Sequence, residues 1–234
     1  MSADPGEWTG LVALGRLYGL AGELLRDEFV PGADPSWPDA WHEALGFREG
    51  LMAAELSDAL LRALEEARQR PAVAAAERSR LLLLGDCPAY ETAYAHTFSR
   101  QRELADIAGF YRAFGVRIEG ERPDHLAVEC EFASLLCTKE AVAAASGLTE
   151  ERARTREARA AFLADHLGTW LFLYGEDLRS RAQLPLLGAA VAIIRALVQS
   201  DAAALGVTVD DRERPAAEDV SAPPPCGPSV AGAS

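Results

Sequence analysis

The stretch ADIAGFYRAFGVRIEGERPDHLAVECEFASLLCTKEA, Ala105 to Ala141, reads as helix, tight connection, helix. Leu104, Ile107, Ala108, Tyr111 and Phe114 recur at helical spacing, so the first segment has one apolar face. Gly115 follows, where a helix commonly ends in a left-handed residue. A polar connection, Arg117 to Arg122, leads to Pro123, which suits a first helical position because its missing N–H would be unpaired there. Asp124 then falls in the predicted first turn, at the positive end of the helix dipole.

The second helix carries two stripes. Leu126, Cys130, Ala133, Cys137 and Ala141 form one and are expected to face the core. His125, Glu129, Phe132 and Leu136 form the other, with an imidazole and a carboxylate one turn apart beside a phenyl ring. Two stripes are too wide for a surface helix, so this helix is predicted to be central. The mixed stripe is either packed core with a satisfied ion pair or one wall of a groove.

Outward from this pair, helical periodicity is predicted over Trp8 to Phe29, Leu51 to Ala67, Ala72 to Leu84, Glu150 to Leu167, Trp170 to Leu178 and Leu184 to Leu205. Pro31 to Pro38 reads as a loop, with Trp37 and Trp41 covering the core at its end. Thr149 is the expected N-cap of the helix that follows it. Alanine, leucine, glutamate and arginine dominate, which favours helix over strand. The expectation is an all-α single-domain helical bundle over residues 1–206. A disordered, acidic, proline- and alanine-rich tail is expected over 207–234.

The net charge of −13 over 234 residues disfavours nucleic acid, whose phosphates call for a basic face. The four cysteines, Cys87, Cys130, Cys137 and Cys226, form no C-x-x-C pair. Cys130 and Cys137 would lie roughly 10 Å apart along one helix, too far for a disulfide, and are expected to be reduced. MSADPGEWTG lacks a basic region followed by an apolar run, so no signal peptide is expected. Leu184 to Val198, the most apolar run, is short for a membrane span and contains Arg195, so no stable membrane insertion and a cytoplasmic location are expected.

GFYRAFG followed by ERPDHLAVECEF resembles the TorD/DmsD/NarJ family of molybdoenzyme-specific chaperones, most closely the branch serving type II dimethyl-sulfoxide-reductase-like enzymes. The family pattern of acidic-x-Pro-Asp-His-Leu-x-x-Glu-x-x-Phe is met by Glu121, Pro123, Asp124, His125, Leu126, Glu129 and Phe132. LLLLGDCPAYETAY resembles its proline-plus-aromatic loop, and DHLGTW its His-Leu-x-x-Trp element at His166, Leu167 and Trp170. The resemblance spans about residues 80 to 200. It implies a TorD-like helical bundle that binds the catalytic subunit of a molybdopterin oxidoreductase and its twin-arginine signal peptide. Export would be delayed until the molybdenum cofactor is inserted. It also implies that the two signatures lie side by side. Asp124 and Glu129 would be the anionic contacts, oriented by His125, and Leu83, Leu84, Pro88, Tyr90 and Phe132 the apolar wall. Such a chaperone would act as a monomer or a homodimer.

Two other readings compete. A helical enzyme would use His125 and Glu129, joined by His96 or His166 and a metal, but H-x-x-x-E lacks the second helical histidine of H-E-x-x-H. No G-x-S-x-G elbow, P-loop or G-x-G-x-x-G occurs, and nothing in the sequence sets a base beside Cys87. No cofactor, no metal and no catalysis are therefore expected. The third reading is a helical adaptor without a chaperone role.

Overall fold

Proline and glycine divide the chain into helices, and the computed structural model describes residues 5–47, 54–94 and 99–209. These form α1 (Pro5–Glu23), α2 (Trp37–Gly46), α3 (Ala54–Gln69), α4 (Pro71–Arg78), α5 (Glu91–Tyr94), α6 (Arg100–Ala113), α7 (Leu126–Ala145), α8 (Thr149–Phe162), α9 (Leu171–Arg181) and α10 (Leu186–Leu205). Among the described residues the sole extended pairing is an isolated bridge between Tyr90 and His125. The all-α fold is thus the one the periodicities predict.

α7 is the central helix, with 13 of its 20 residues buried. Leu126, Cys130, Ala133, Cys137 and Ala141 are at most 1% exposed, as their stripe predicts. α1 lies closely against it because glycine stands where the two backbones approach. A Cβ at Gly15 would come within 2.9 Å of the Ser134 carbonyl oxygen, and one at Gly22 within 2.8 Å of the Cys130 Cβ. α10 is 20 residues long, and by length and composition it is apolar enough to cross a membrane. Here it packs among α1, α3, α8 and α9, with Ile193, Ile194 and Leu197 fully buried.

Several boundaries differ from those expected. α1 stops at Glu23 rather than Phe29, because the chain turns through Leu25 N–H to Gly22 O and Arg26 N–H to Glu23 O. The buried Arg78 holds this turn by donating to the carbonyls of Leu24 and Arg26. α2 begins at Trp37 inside the expected loop, with Pro38 in its first turn, where its missing N–H costs nothing. Trp37 and Trp41 stack at 5.5 Å and are buried, as expected of core covers. Thr149 is the first residue of α8 rather than its cap, and its predecessor Leu148 makes no side-chain cap.

α4 and α8 each widen into a single π turn, Ser79–Leu83 and Leu163–Leu167, before ending. Such turns are rare and recur at functional sites. Here both feed the region where the sequence signatures meet. Beyond α10, Gly206 takes the left-handed conformation (φ 74°), and Val209 folds back onto Gly168. Val209 is half-buried against the core. The remainder of the expected tail, 210–234, including Cys226, lies outside the described residues, as does His96.

Candidate functional site

The loop after the first π turn and the start of α7 are laced together by backbone. Leu126 N–H donates to Ala89 O and Glu91 N–H to Asp124 O, both at 2.9 Å, flanking the Tyr90–His125 bridge. The loop is held on its other side by Cys87 N–H to Leu81 O (2.9 Å) and by Arg80, which pairs with Asp86 at 3.0 Å and donates to Arg181 O. The two signatures are therefore neighbours in space.

Side chains complete a latch across this junction. Asp124 accepts from the Thr92 hydroxyl at 2.7 Å and from the Arg122 guanidinium at 3.0 and 2.9 Å. Arg122 also lies over the Tyr90 ring, 4.2 Å from its centroid, a cation–π geometry. His125 is the N-cap of α7. Its Nδ1 accepts from Ala127 N–H at 3.2 Å, which satisfies one of the helix's orphan donors. That role needs a neutral ring, and burial does push the His125 pKa below the ordinary value, against the pull of Glu121 and Asp27. Tyr90 meets the ring edge-on at 5.3 Å.

This geometry corrects the expected groove. Asp124 and Glu129 are 0% exposed, His125 is buried, and Phe132 is packed among Tyr111, Phe114 and Phe162. None of the four faces solvent, because each has an internal partner that the sequence pattern could not display. Nor does Asp124 stand in the first turn of α7, which begins two residues later. Leu83 and Leu84 are the opposite case, 60% and 79% exposed, while Pro88 and Tyr90 are half-buried. The eight candidates thus divide into an exposed apolar lip and a buried frame behind it.

Deeper in, the frame carries an unusual load of acid. Glu129 accepts from the Trp170 indole N–H at 3.3 Å, and its other oxygen has no hydrogen-bond partner among the described residues. Burial raises its pKa well above the carboxylate range, and the nearby Glu91 charge adds to the effect. Glu91, also fully buried, faces His166 Nδ1 at 3.1 Å. Burial raises the Glu91 pKa, opposed by His166. Burial alone would lower that of His166, but the carboxylates of Glu91, Asp106 and Glu103 outweigh it and hold it up. Glu91 and Glu103 carry no motif of their own and were missed by sequence reasoning. The sole hint was their place beside the aromatic loop and on the following helix.

His125 and Glu129 do not form the metal pair weighed from sequence, since His125 caps a helix and Glu129 meets Trp170. Among the described residues the ligand-type side chains that converge are Glu91, Glu103 and His166. Cys87 is fully buried beside the Tyr94 hydroxyl, and burial raises its thiol pKa, so it is no exposed thiolate nucleophile.

Compared with known families, residues 47–173, just over half of the chain, match the family described as nitrate reductase delta subunit. No curated protein and no solved structure matches the chain.

Proposed function

The chain belongs to the nitrate reductase delta subunit family, and from that premise we propose that it is a maturation chaperone for the catalytic subunit of a molybdopterin oxidoreductase. It binds the apo subunit and its twin-arginine signal peptide, and it delays export until the molybdenum cofactor is in place. The client is of the type II dimethyl-sulfoxide-reductase class, and the chaperone works in the cytoplasm as a monomer or homodimer, without catalysis of its own. The observation that carries this reading is the lip formed by Leu83 and Leu84, two large apolar side chains left in solvent at the end of a π turn.

An unpaired apolar lip on a strongly acidic protein suits a segment with both an apolar run and arginines. Leu83, Leu84, Pro88 and Tyr90 contact the client. Asp124, His125, Glu129 and Phe132 act through the frame that fixes the loop's position. Titration calorimetry with the client's signal peptide tests this division. Leu83→Ser with Leu84→Ser should weaken binding at least tenfold while the thermal midpoint stays within about 2 °C, because exposed residues contribute little to the fold. Unchanged peptide affinity in that double variant would remove the lip from the binding surface.

A further inference from the structure

We propose that Glu91, Glu103 and His166 form a binding site for a divalent first-row transition ion, zinc being the best fit, with Asp106 orienting the histidine. One ligand atom from each of the three lies within 4.8 Å of the others. That approaches the spacing of ligands held about 2.0–2.2 Å from a common zinc ion. The set is drawn from separate elements: Glu91 opens α5, Glu103 is in α6, and His166 sits in the π turn that follows α8. It is one imidazole and two carboxylates, a donor set suited to zinc and similar ions rather than to magnesium or calcium.

The independent observation is the state of the His166 ring. It is fully buried, with Nδ1 turned to Glu91 at 3.1 and 3.3 Å. Nε2 has no hydrogen-bond partner among the described residues, and the Asp106 carboxylate lies 3.6 Å from it. A neutral ring cannot suit both sides. If the proton sits on Nδ1, the Nε2 lone pair is aimed at a carboxylate. If it sits on Nε2, the Nδ1 lone pair faces Glu91. A second proton on the ring would suit both sides, and so would a cation on Nδ1 shared with Glu91 and Glu103. The cation fixes the N–H at Nε2, which donates to Asp106, the carboxylate–histidine–metal arrangement seen around many metal sites. The proposal does not depend on the chaperone reading, because it concerns groups behind the lip and is tested without a client. The ion would tie α5, α6 and the second π turn together.

The test uses the full chain stripped with chelator and titrated calorimetrically with zinc chloride, then with magnesium chloride. One zinc per chain is expected, with no comparable heat from magnesium and a raised thermal midpoint. Glu103→Gln, at a half-buried position that leaves the fold intact, should weaken zinc at least tenfold. Asp106→Asn, at an exposed position, should weaken it about 10–100-fold, the usual loss when a ligand's orienting partner goes. Circular dichroism of both variants should match the parent. The proposal is overturned if zinc does not bind, which would leave the pair as a protonated histidine among carboxylates. It is equally overturned if both variants bind zinc as tightly as the parent, which would place the ion elsewhere.

Discussion

The two halves of α7 bury charge in opposite ways. Toward the C-terminus, Glu140 and Asp201 meet Arg159. The guanidinium donates to Glu140 at 3.1 and 2.8 Å and also to Asp201, and Arg156 stands 3.6 Å from the other Glu140 oxygen. Tyr18 adds a hydroxyl donor to Asp201 at 3.4 Å. Each buried carboxylate there has a cation. Toward the N-terminus, and among the described residues, Asp124 has Arg122, but Glu129 has an indole N–H and no cation, and Glu91 shares a single histidine. Burying acid without a matching base costs stability, so the first end is built to hold three helices and the second tolerates an expense that the fold alone does not require. The signature residues cluster at the second end.

The sharpest way to break this contrast is at the paired end. Arg159→Met should cost about 3–5 kcal/mol, because two buried carboxylates lose their main cation. Urea unfolding monitored by circular dichroism measures it. A loss below about 1 kcal/mol would mean that the network is not what holds α7, α8 and α10 together.

At the latch the expected loss is smaller. Asp124→Asn removes a charged acceptor from Arg122 and Thr92 and should cost about 1.5–3 kcal/mol, the range for hydrogen bonds involving a charge. Arg122 is 46% exposed, so water takes over part of its solvation. The thermal midpoint should fall clearly. A midpoint equal to the parent's would return Asp124 to the solvent-facing role that its spacing in the sequence suggested.

That spacing shows what was legible. Period and punctuation were enough for the long helices but not for α2 and α5, and burial of α7 and α10 follows directly from where apolar residues recur. The family resemblance, not the spacing itself, implied that Tyr90 and Asp124 lie together. Exposure was not legible. Asp124, Glu129 and Phe132 look like a polar-edged groove in one dimension, and their partners Thr92, Trp170 and Phe162 come from distant segments. The α1–α7 contact through Gly15 and Gly22 was hidden for the same reason, since a glycine shows its value only when the opposite backbone is known. Leu83 and Leu84 were chosen as wall residues from the signature, but nothing in their apolar run separates them from the buried Leu81 and Leu82.

His125 sharpens the comparison through pH. His125→Ala loses the cap and should cost about 0.5–2 kcal/mol. In the parent, the folded pKa of His125 lies below the unfolded value of about 6.5. Above that value both states are neutral and the cap is intact. As pH falls below it the unfolded chain takes the proton first, so stability is lost on the way down. His125→Asn should retain the cap and lose this part of the acid sensitivity. If its stability falls with pH as steeply as the parent's below about pH 6.5, the ring is not the group responsible.

Glu129 gives the smallest expected change at neutral pH and the most direct reading of the unpaired end. Its pKa is raised, chiefly by burial, so the sign is opposite to that of His125. A group whose folded pKa exceeds its unfolded value contributes stability fully below the unfolded value, about 4.3 for a glutamate, and loses it as pH rises toward the folded one. Glu129→Gln keeps the shape and an oxygen to accept from Trp170, and it supplies a donor in place of the acid proton. It should therefore change stability by less than about 1 kcal/mol at neutral pH, with any change in the stabilising direction. Its stability should also decline less than the parent's as pH is raised from 5 to 8, a range above the unfolded value where burial disfavours the charge. Urea midpoints across that range compare the two. A loss of about 3 kcal/mol or more in Glu129→Gln would mean that the carboxylate is ionised and held by a cation, and that the two ends of α7 are built alike.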